Sequence, residues 1–243
     1  MVLPPASKRQ RLNGVSVDQV DSSVSLLVDS SDFDVLRKNM ENFDAQREVV
    51  IKRSRDIQKL AKQAIFAAHR NDLGKSSKQI TDAEQVAHEL LPVIQQTPDL
   101  RHGSFANAME EYAEAKIFQA FLNHGHVIPS TELPLVDRDE YLGGVLDFTG
   151  ELNRYAIAKA TIRDINEVKR CRDIAEALMG EFLQFDLRNG SIRKKYDSLK
   201  YTLKKLENTL YELSLAEAGF KPQVEKDEAP QPQMESTADE IAE

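Results

Sequence analysis

From Asp32 to Arg70 the pattern is helical: Phe33, Leu36, Met40 and Phe43 recur at spacings of three and four, and Val50, Ile57, Leu60, Ala64 and Ile65 continue the stripe. That period predicts one amphipathic helix, with Ser31 or Asp32 as its cap. A helix of that length exceeds most in globular proteins, and it needs a long partner to lie against. The same period returns along the chain. A Thr81-x-x-Glu84 capping box predicts a second helix, which Pro92 should end or kink. Residues 100–123, 138–160, 164–185 and 191–218 read as further helices. The last carries Ile192, Tyr196, Leu199, Leu203, Leu206, Leu210 and Leu213 near heptad spacing. Polar or Gly/Pro-marked stretches at 71–79, 97–99, around 124–135 and at 188–190 read as breaks. Gly143 and Gly144 fall inside a helical pattern, where each costs roughly 1 kcal/mol; close approach of a second helix is their expected use. No strand alternation is present, so the expected fold class is all-α, a helical bundle over residues 31–219.

Composition agrees. Apolar residues make up 41% of the 243, enough for a core, and 30% are charged, with ten glycines and nine prolines. That balance favours long helices. Residues 1–30, with the basic run SKRQR at 7–11, are expected to be a disordered arm, and 220–243 a disordered acidic tail. The basic run reads either as a nuclear address or as a solvated tail. A single cysteine, Cys171, allows no internal disulfide and points to a reducing compartment. No apolar run approaches the roughly 20 residues that span a bilayer, and the N-terminus has no apolar signal core. A soluble intracellular chain is expected. The net charge of −8 argues against a dedicated nucleic-acid binder working alone. A local basic face, or one borrowed from a partner, is compatible with it.

The acids carry the chemistry. Glu111 and Glu114 lie three apart, and Asp147 and Glu151 four apart, so each pair shares a helix face. Their neighbours are apolar or small. If the two helices pack antiparallel, both pairs meet across one groove, where four carboxylates repel unless a cation or protons offset them. Oxygen donors of this kind suit Mg²⁺ or Mn²⁺. The plainer alternative is a solvated surface, or ion pairs with Lys116 and Arg154. His69, His88, His102, His124 and His126 show no ligand spacing, and Cys171 reads as structural. Arg193, Lys194, Lys195 and Lys200 interleave with Tyr196 and Tyr201, a pattern that either holds RNA phosphates and bases or is a solvated helix face. Arg53, Arg55 and Arg70 form a second basic set, for which salt pairs are the plainer account.

Four segments, SRDIQKLAKQAIFAAHR (54–70), EEYAEAKIFQAF (110–121), DEYLGGVLDFTGELNR (139–154) and KKYDSLKYTLKKLENTLYEL (194–213), together resemble the translin superfamily. EYAEA and DFTGEL resemble the pattern of its translin-associated factor X (Trax) branch, and Asp147 stands where translin has an apolar residue. The short segment 123–138 and SIRKKYDSLKY look more like translin. The resemblance implies a seven-helix all-α protein with long first and last helices. It implies a catalytic subunit that joins translin in a hollow hetero-oligomer, working in cytoplasm and nucleus. It also implies an endoribonuclease that cleaves single-stranded RNA, such as the passenger strand of small-RNA duplexes or tRNA-processing fragments. Glu111, Glu114, Asp147 and Glu151 match that branch's Mg²⁺-binding catalytic acids position by position. The rival readings are a non-catalytic partner that stabilises translin and holds nucleic acid, and a chain that self-associates.

Overall fold

A computed structural model describes residues 28–219. Both terminal segments expected to be disordered, including the basic run at 7–11, lie outside these residues, apart from the last few positions of the N-terminal arm. Among the described residues there are six α-helices, two short 3-10 turns and no strand. The helices are α1 (Ser30–His69), α2 (Leu73–Gln96), α3 (Ser104–His124), α4 (Arg138–Thr161), α5 (Ile165–Phe182) and α6 (Ser191–Glu217). The count implied by the resemblance was seven; the described residues hold six.

Local chemistry sets most of the ends. The Asp29 carboxylate accepts from the N–H groups of Ser31 and Asp32 and opens α1. Asp137 and Glu140 form a reciprocal capping box that opens α4. The expected start of α2 at Thr81 is wrong. Asn71 adopts φ of 60°, which reverses the chain directly after α1, and the Asp72 side chain then caps Lys75 N at 3.1 Å. Residues 73–80 therefore belong to the helix. Ser76, expected from sequence to be loop polarity, is buried against α3. Pro92 does not end α2, which continues to Gln96 with Leu90 and Ile94 held in the core.

Pairings along the helices fix their directions. Arg53 meets Glu89, while Gln63 meets Gln79, so α1 and α2 are antiparallel. Lys62 meets Glu111 and His69 meets Phe118, so α1 and α3 run the same way. The helices α3 and α4 are also parallel, whereas the acid pairs were considered for the case of an antiparallel packing. Glu110 faces Gly143, Ala113 faces Gly144, and Phe121 meets Tyr155. The connection from 125 to 137 makes this possible: extended, it reaches about 40 Å, longer than the roughly 31 Å of α3. Gly125, at φ of 81° and donating to Phe121 O at 2.8 Å, turns the chain into it.

The core lies where α1, α3 and α4 meet. Phe105, Phe118, Phe121 and Phe148 are fully buried, with Ile57, Met109, Ile117 and Leu152 around them. On α6 only Leu199 and Leu206 of the heptad stripe are buried; the rest are half-buried. The apolar stripe of α1 divides. Val50, Ile57, Ala64 and Ile65 are buried, whereas Phe33, Leu36 and Met40 are exposed. The start of α1 thus extends beyond the described bundle.

Candidate metal and nucleic-acid site

Two glycines bring α3 and α4 together. A Cβ on Gly144 would lie 2.7 Å from Ala113 Cβ, 2.9 Å from Glu110 O and 3.0 Å from Glu114 N. A Cβ on Gly143 would run into the Glu110 carboxylate. The expected close approach is therefore present, and it sets the Glu-rich face of α3 against the Asp147 turn of α4.

Glu111, Glu114 and Glu151 line one groove of about 260 Å³, together with Lys62, Ile65, Phe66 and Arg154. Asp147 sits beside this groove and turns towards α6, where it accepts from Lys195 Nζ. The same ammonium donates to Glu110, an acid that the sequence pattern did not single out. His69 donates through Nε2 to Glu151, which Arg154 also approaches at 3.5 Å. Lys62 lies 3.1 Å from Glu111. Lys116, offered as a partner for the α3 acids, pairs instead with Glu84 at 2.9 Å.

Glu114 differs from the other three. It is buried, with 8% of its surface exposed, and no described residue gives it a hydrogen bond or an ion pair. Burial pushes its carboxyl up to about 8, with the charges of Asp147, Glu111 and Glu151 adding to the effect. Burial also lifts Glu110, and Asp147 and Glu111 add to that against the pull of Lys195. Burial raises Glu151 too, but His69 and Arg154 outweigh it and hold its carboxyl below the usual value. Burial opposes the charge of Lys195, yet its bonds to Asp147 and Glu110 keep the ammonium above its ordinary value.

This donor set fits a hard divalent cation in kind: four carboxylates, one of them buried without a partner. As they stand, however, no three or more His, Cys, Asp or Glu side chains among the described residues are grouped to hold a metal ion. Lys195, His69, Lys62 and Arg154 meet three of the acids instead. The rings of His124, at the end of α3, and His126, just after it, lie 6.0 Å apart and tilted, away from these acids in sequence and contacts.

The predicted RNA-binding set on α6 is split. Lys195 is half-buried against the acids. Arg193, Lys194 and Lys200 are exposed. Arg193 pairs with Asp197 at 3.2 Å and lies over Tyr196, and Lys200 lies over Tyr201. Tyr196 stacks on Phe182, whereas Tyr201 is exposed. Sequence reasoning missed Glu110, His69 and Lys195 as members of the acid cluster. Glu110 was signalled by the doubled EE of EEYAEA, and His69 by its place seven residues after Lys62 on one face of α1.

Residues 45–217 match the Translin family. The chain is 39% identical to translin of Gallus gallus over 80 residues, covering 33% of this chain and 35% of that one. It thus spans about a third of the length of the translins it matches. Translin-associated protein X of Rattus norvegicus is 26% identical over 225 residues, covering 75% of this chain and 77% of that one. The crystal structure of AfC3PO shares the fold with a TM-score of 0.69 at 20% identity, over 76% of this chain and 98% of that one. The AfC3PO–duplex RNA complex has a TM-score of 0.64 at 23% identity, over 77% of this chain and 99% of that one. The chain belongs to the translin family.

Proposed function

We propose that the chain is of the translin-associated factor X branch and is the catalytic subunit of a Mg²⁺-dependent endoribonuclease assembled with translin. Its substrate is single-stranded RNA, such as a small-RNA passenger strand or a tRNA-processing fragment. The observation that carries this reading is the convergence of Glu111, Glu114 and Glu151 on one groove, with Asp147 beside it and Glu114 lacking any partner. Burying like charges together costs stability unless cations or protons offset them, and here Glu114 meets that cost by holding a proton that a metal ion would replace. The match to rat translin-associated protein X along most of the chain supports the branch, and the AfC3PO complex with duplex RNA supports the ligand class.

The residues that would hold Mg²⁺ or Mn²⁺ are Glu111, Glu114, Asp147 and Glu151. When bound, such an ion supplies positive charge at a phosphate and makes water more acidic. Burial, with the charges of Asp147, Glu111 and Glu151 adding to it, holds a proton on Glu114 that a bound cation would displace. Lys195 donates to Asp147 and fixes its direction. His69 does the same for Glu151. Arg154 and Lys62 stand exposed at the groove edge, where an anionic strand arrives.

The test is cleavage of a labelled single-stranded RNA by the co-purified complex with translin, in Mg²⁺ and then in chelator. Cleavage should require the ion, and Asp147→Asn should abolish it while the mass of the assembly is unchanged. An Asp147→Asn complex that cuts at the normal rate refutes the assignment. One observation favours a second reading, a non-catalytic scaffold: three of the acids already have partners in Lys62, His69, Arg154 and Lys195. A complex that binds RNA but never cleaves it establishes the scaffold.

A further inference from the structure

The helix α1 carries a charge pattern that the acid groove does not use. From Val49 to Arg70 it holds one acid, Asp56, against Lys52, Arg53, Arg55, Lys59, Lys62 and Arg70. Arg53 is engaged by Asp56 at 2.9 Å and by Glu89. The others fall on a separate line. At about 100° per residue, Lys52, Arg55, Lys59, Lys62, Phe66 and Arg70 lie within an arc of about 80°, and all six are exposed. The stripe is about 27 Å long at about 1.5 Å per residue. Among the described residues no ion pair engages Lys52, Arg55, Lys59 or Arg70. Like charges at these spacings destabilise a helix. Elsewhere the chain interleaves signs, as in Asp34–Arg37 at 2.7 Å and Lys78–Asp82 at 2.6 Å. On a chain of net charge −8, a run of cations without acids points to an anion from outside.

The stripe ends at the acids. Lys62 reaches Glu111, and Lys62 and Phe66 both line the acid groove. Phe66 is 52% exposed, and the Arg70 guanidinium lies 3.5 Å from its ring centroid. An aromatic ring kept in solvent and backed by an arginine is a surface on which an unpaired base stacks. A base inside a duplex is already stacked and cannot reach it.

We infer that this face of α1 guides single-stranded RNA into the groove. Lys52, Arg55, Lys59 and Lys62 receive successive backbone phosphates, and Phe66 with Arg70 receives an unpaired base beside Glu111, Glu114 and Glu151. This adds the face along which the strand reaches the proposed site and rests on that reading for the cleavage that follows; the binding step stands by itself.

The experiment measures binding of the full-length chain to a fluorescein-labelled oligouridylate in chelator, by anisotropy across a salt series. Phe66→Ala should weaken binding by about tenfold, the worth of one stacked base, and leave the salt slope unchanged. Phe66→Trp should bind as tightly as the native chain. The double change Arg55→Ala with Lys59→Ala should lower the salt slope by about 1.4, roughly 0.7 for each phosphate no longer neutralised. An abasic ribose-phosphate oligomer of the same length should not distinguish Phe66→Ala from the native chain.

Several results overturn the inference: no binding by the native chain, native affinity in Phe66→Ala, or an equal loss for the abasic oligomer. So does an unchanged slope in the Arg55/Lys59 variant, and an altered assembly mass alongside it would mark the face as a protein dock. Loss of binding in Phe66→Ala alongside normal cleavage by Asp147→Asn would sink the catalytic assignment and leave the guide face standing. The reverse pair of results would do the opposite.

Discussion

Gly144 and Gly150 stand in the same helix and should respond oppositely to the same substitution. In a helix interior, alanine exceeds glycine by about 1 kcal/mol. A Cβ on Gly150 meets nothing within 4 Å, so Gly150→Ala should keep that gain and stabilise the fold by about 1 kcal/mol. A Cβ on Gly144 would stand 2.7 Å from Ala113 Cβ, 2.9 Å from Glu110 O and 3.0 Å from Glu114 N. Two of those atoms are backbone, and they retreat only if α3 retreats. Overpacking costs about 1–3 kcal/mol, and a backbone obstacle puts Gly144→Ala near the top of that range. Set against the propensity gain, the net loss is about 2 kcal/mol. The two variants should then differ by about 3 kcal/mol. With a urea dependence of about 1–3 kcal/mol per molar, that separates their midpoints by a molar or more. Equilibrium urea unfolding followed by circular dichroism reads this directly. A midpoint for Gly144→Ala at or above the native one would refute the claim that this glycine sets the distance between α3 and α4. The same displacement carries Glu114 away from Asp147 and Glu151, so Gly144→Ala should also lose RNA cleavage, whereas Gly150→Ala should keep it.

Two further outcomes follow from buried titratable groups. Glu114 titrates near 8 in the fold against an ordinary 4.5, so between those values the native state holds a proton that the unfolded chain releases. Its contribution to stability is complete below about 4.5 and is lost as pH rises through about 8, at up to about 1.4 kcal/mol per unit. In chelator, the native chain should therefore lose stability relative to Glu114→Gln between about pH 5 and about pH 8, and parallel urea profiles for the two would contradict the buried, unpartnered state. Cys171 is fully buried, and burial pushes its thiol up to about 12, so a thiol reagent should leave the native chain unmodified and label it completely in urea. Rapid labelling of the folded chain would show that α5 opens.

What was legible in the sequence was what is local. The apolar periods of α1, α3, α4, α5 and α6 predicted their extents to within a few residues, because each period is written in one continuous segment. The paired acids were visible for the same reason. The start of α2 was missed because a serine-rich first turn reads as loop until Asn71 and Asp72 are recognised as reversal and cap. Phe33, Leu36 and Met40 were read as one stripe with the buried positions that follow, because periodicity shows which face is apolar and not whether anything covers it. The direction of α4 was open because nothing in a helix pattern states which way a long loop leads.

The acids show the same limit in sharper form. Asp147 and Glu151 are four residues apart, so their side chains leave α4 about 40° apart and not on one line. That offset aims them at different neighbours. Asp147 meets Lys195 on α6, 48 positions away, and Glu151 meets His69 on α1, 82 positions away. A spacing rule sees one pair of carboxylates; the fold makes two separate clamps, with Glu114 of α3 left between them without a partner. Gly144 sets the backbone of α4 against Glu114 N, and among the described residues Lys195 acts on the Glu114 carboxyl by its charge without bonding to it. The glycines and the acids, read apart in sequence as packing and as chemistry, are therefore one device. The close approach of the two helices thus holds a buried carboxyl, protonated up to about 8, beside Asp147 and Glu151.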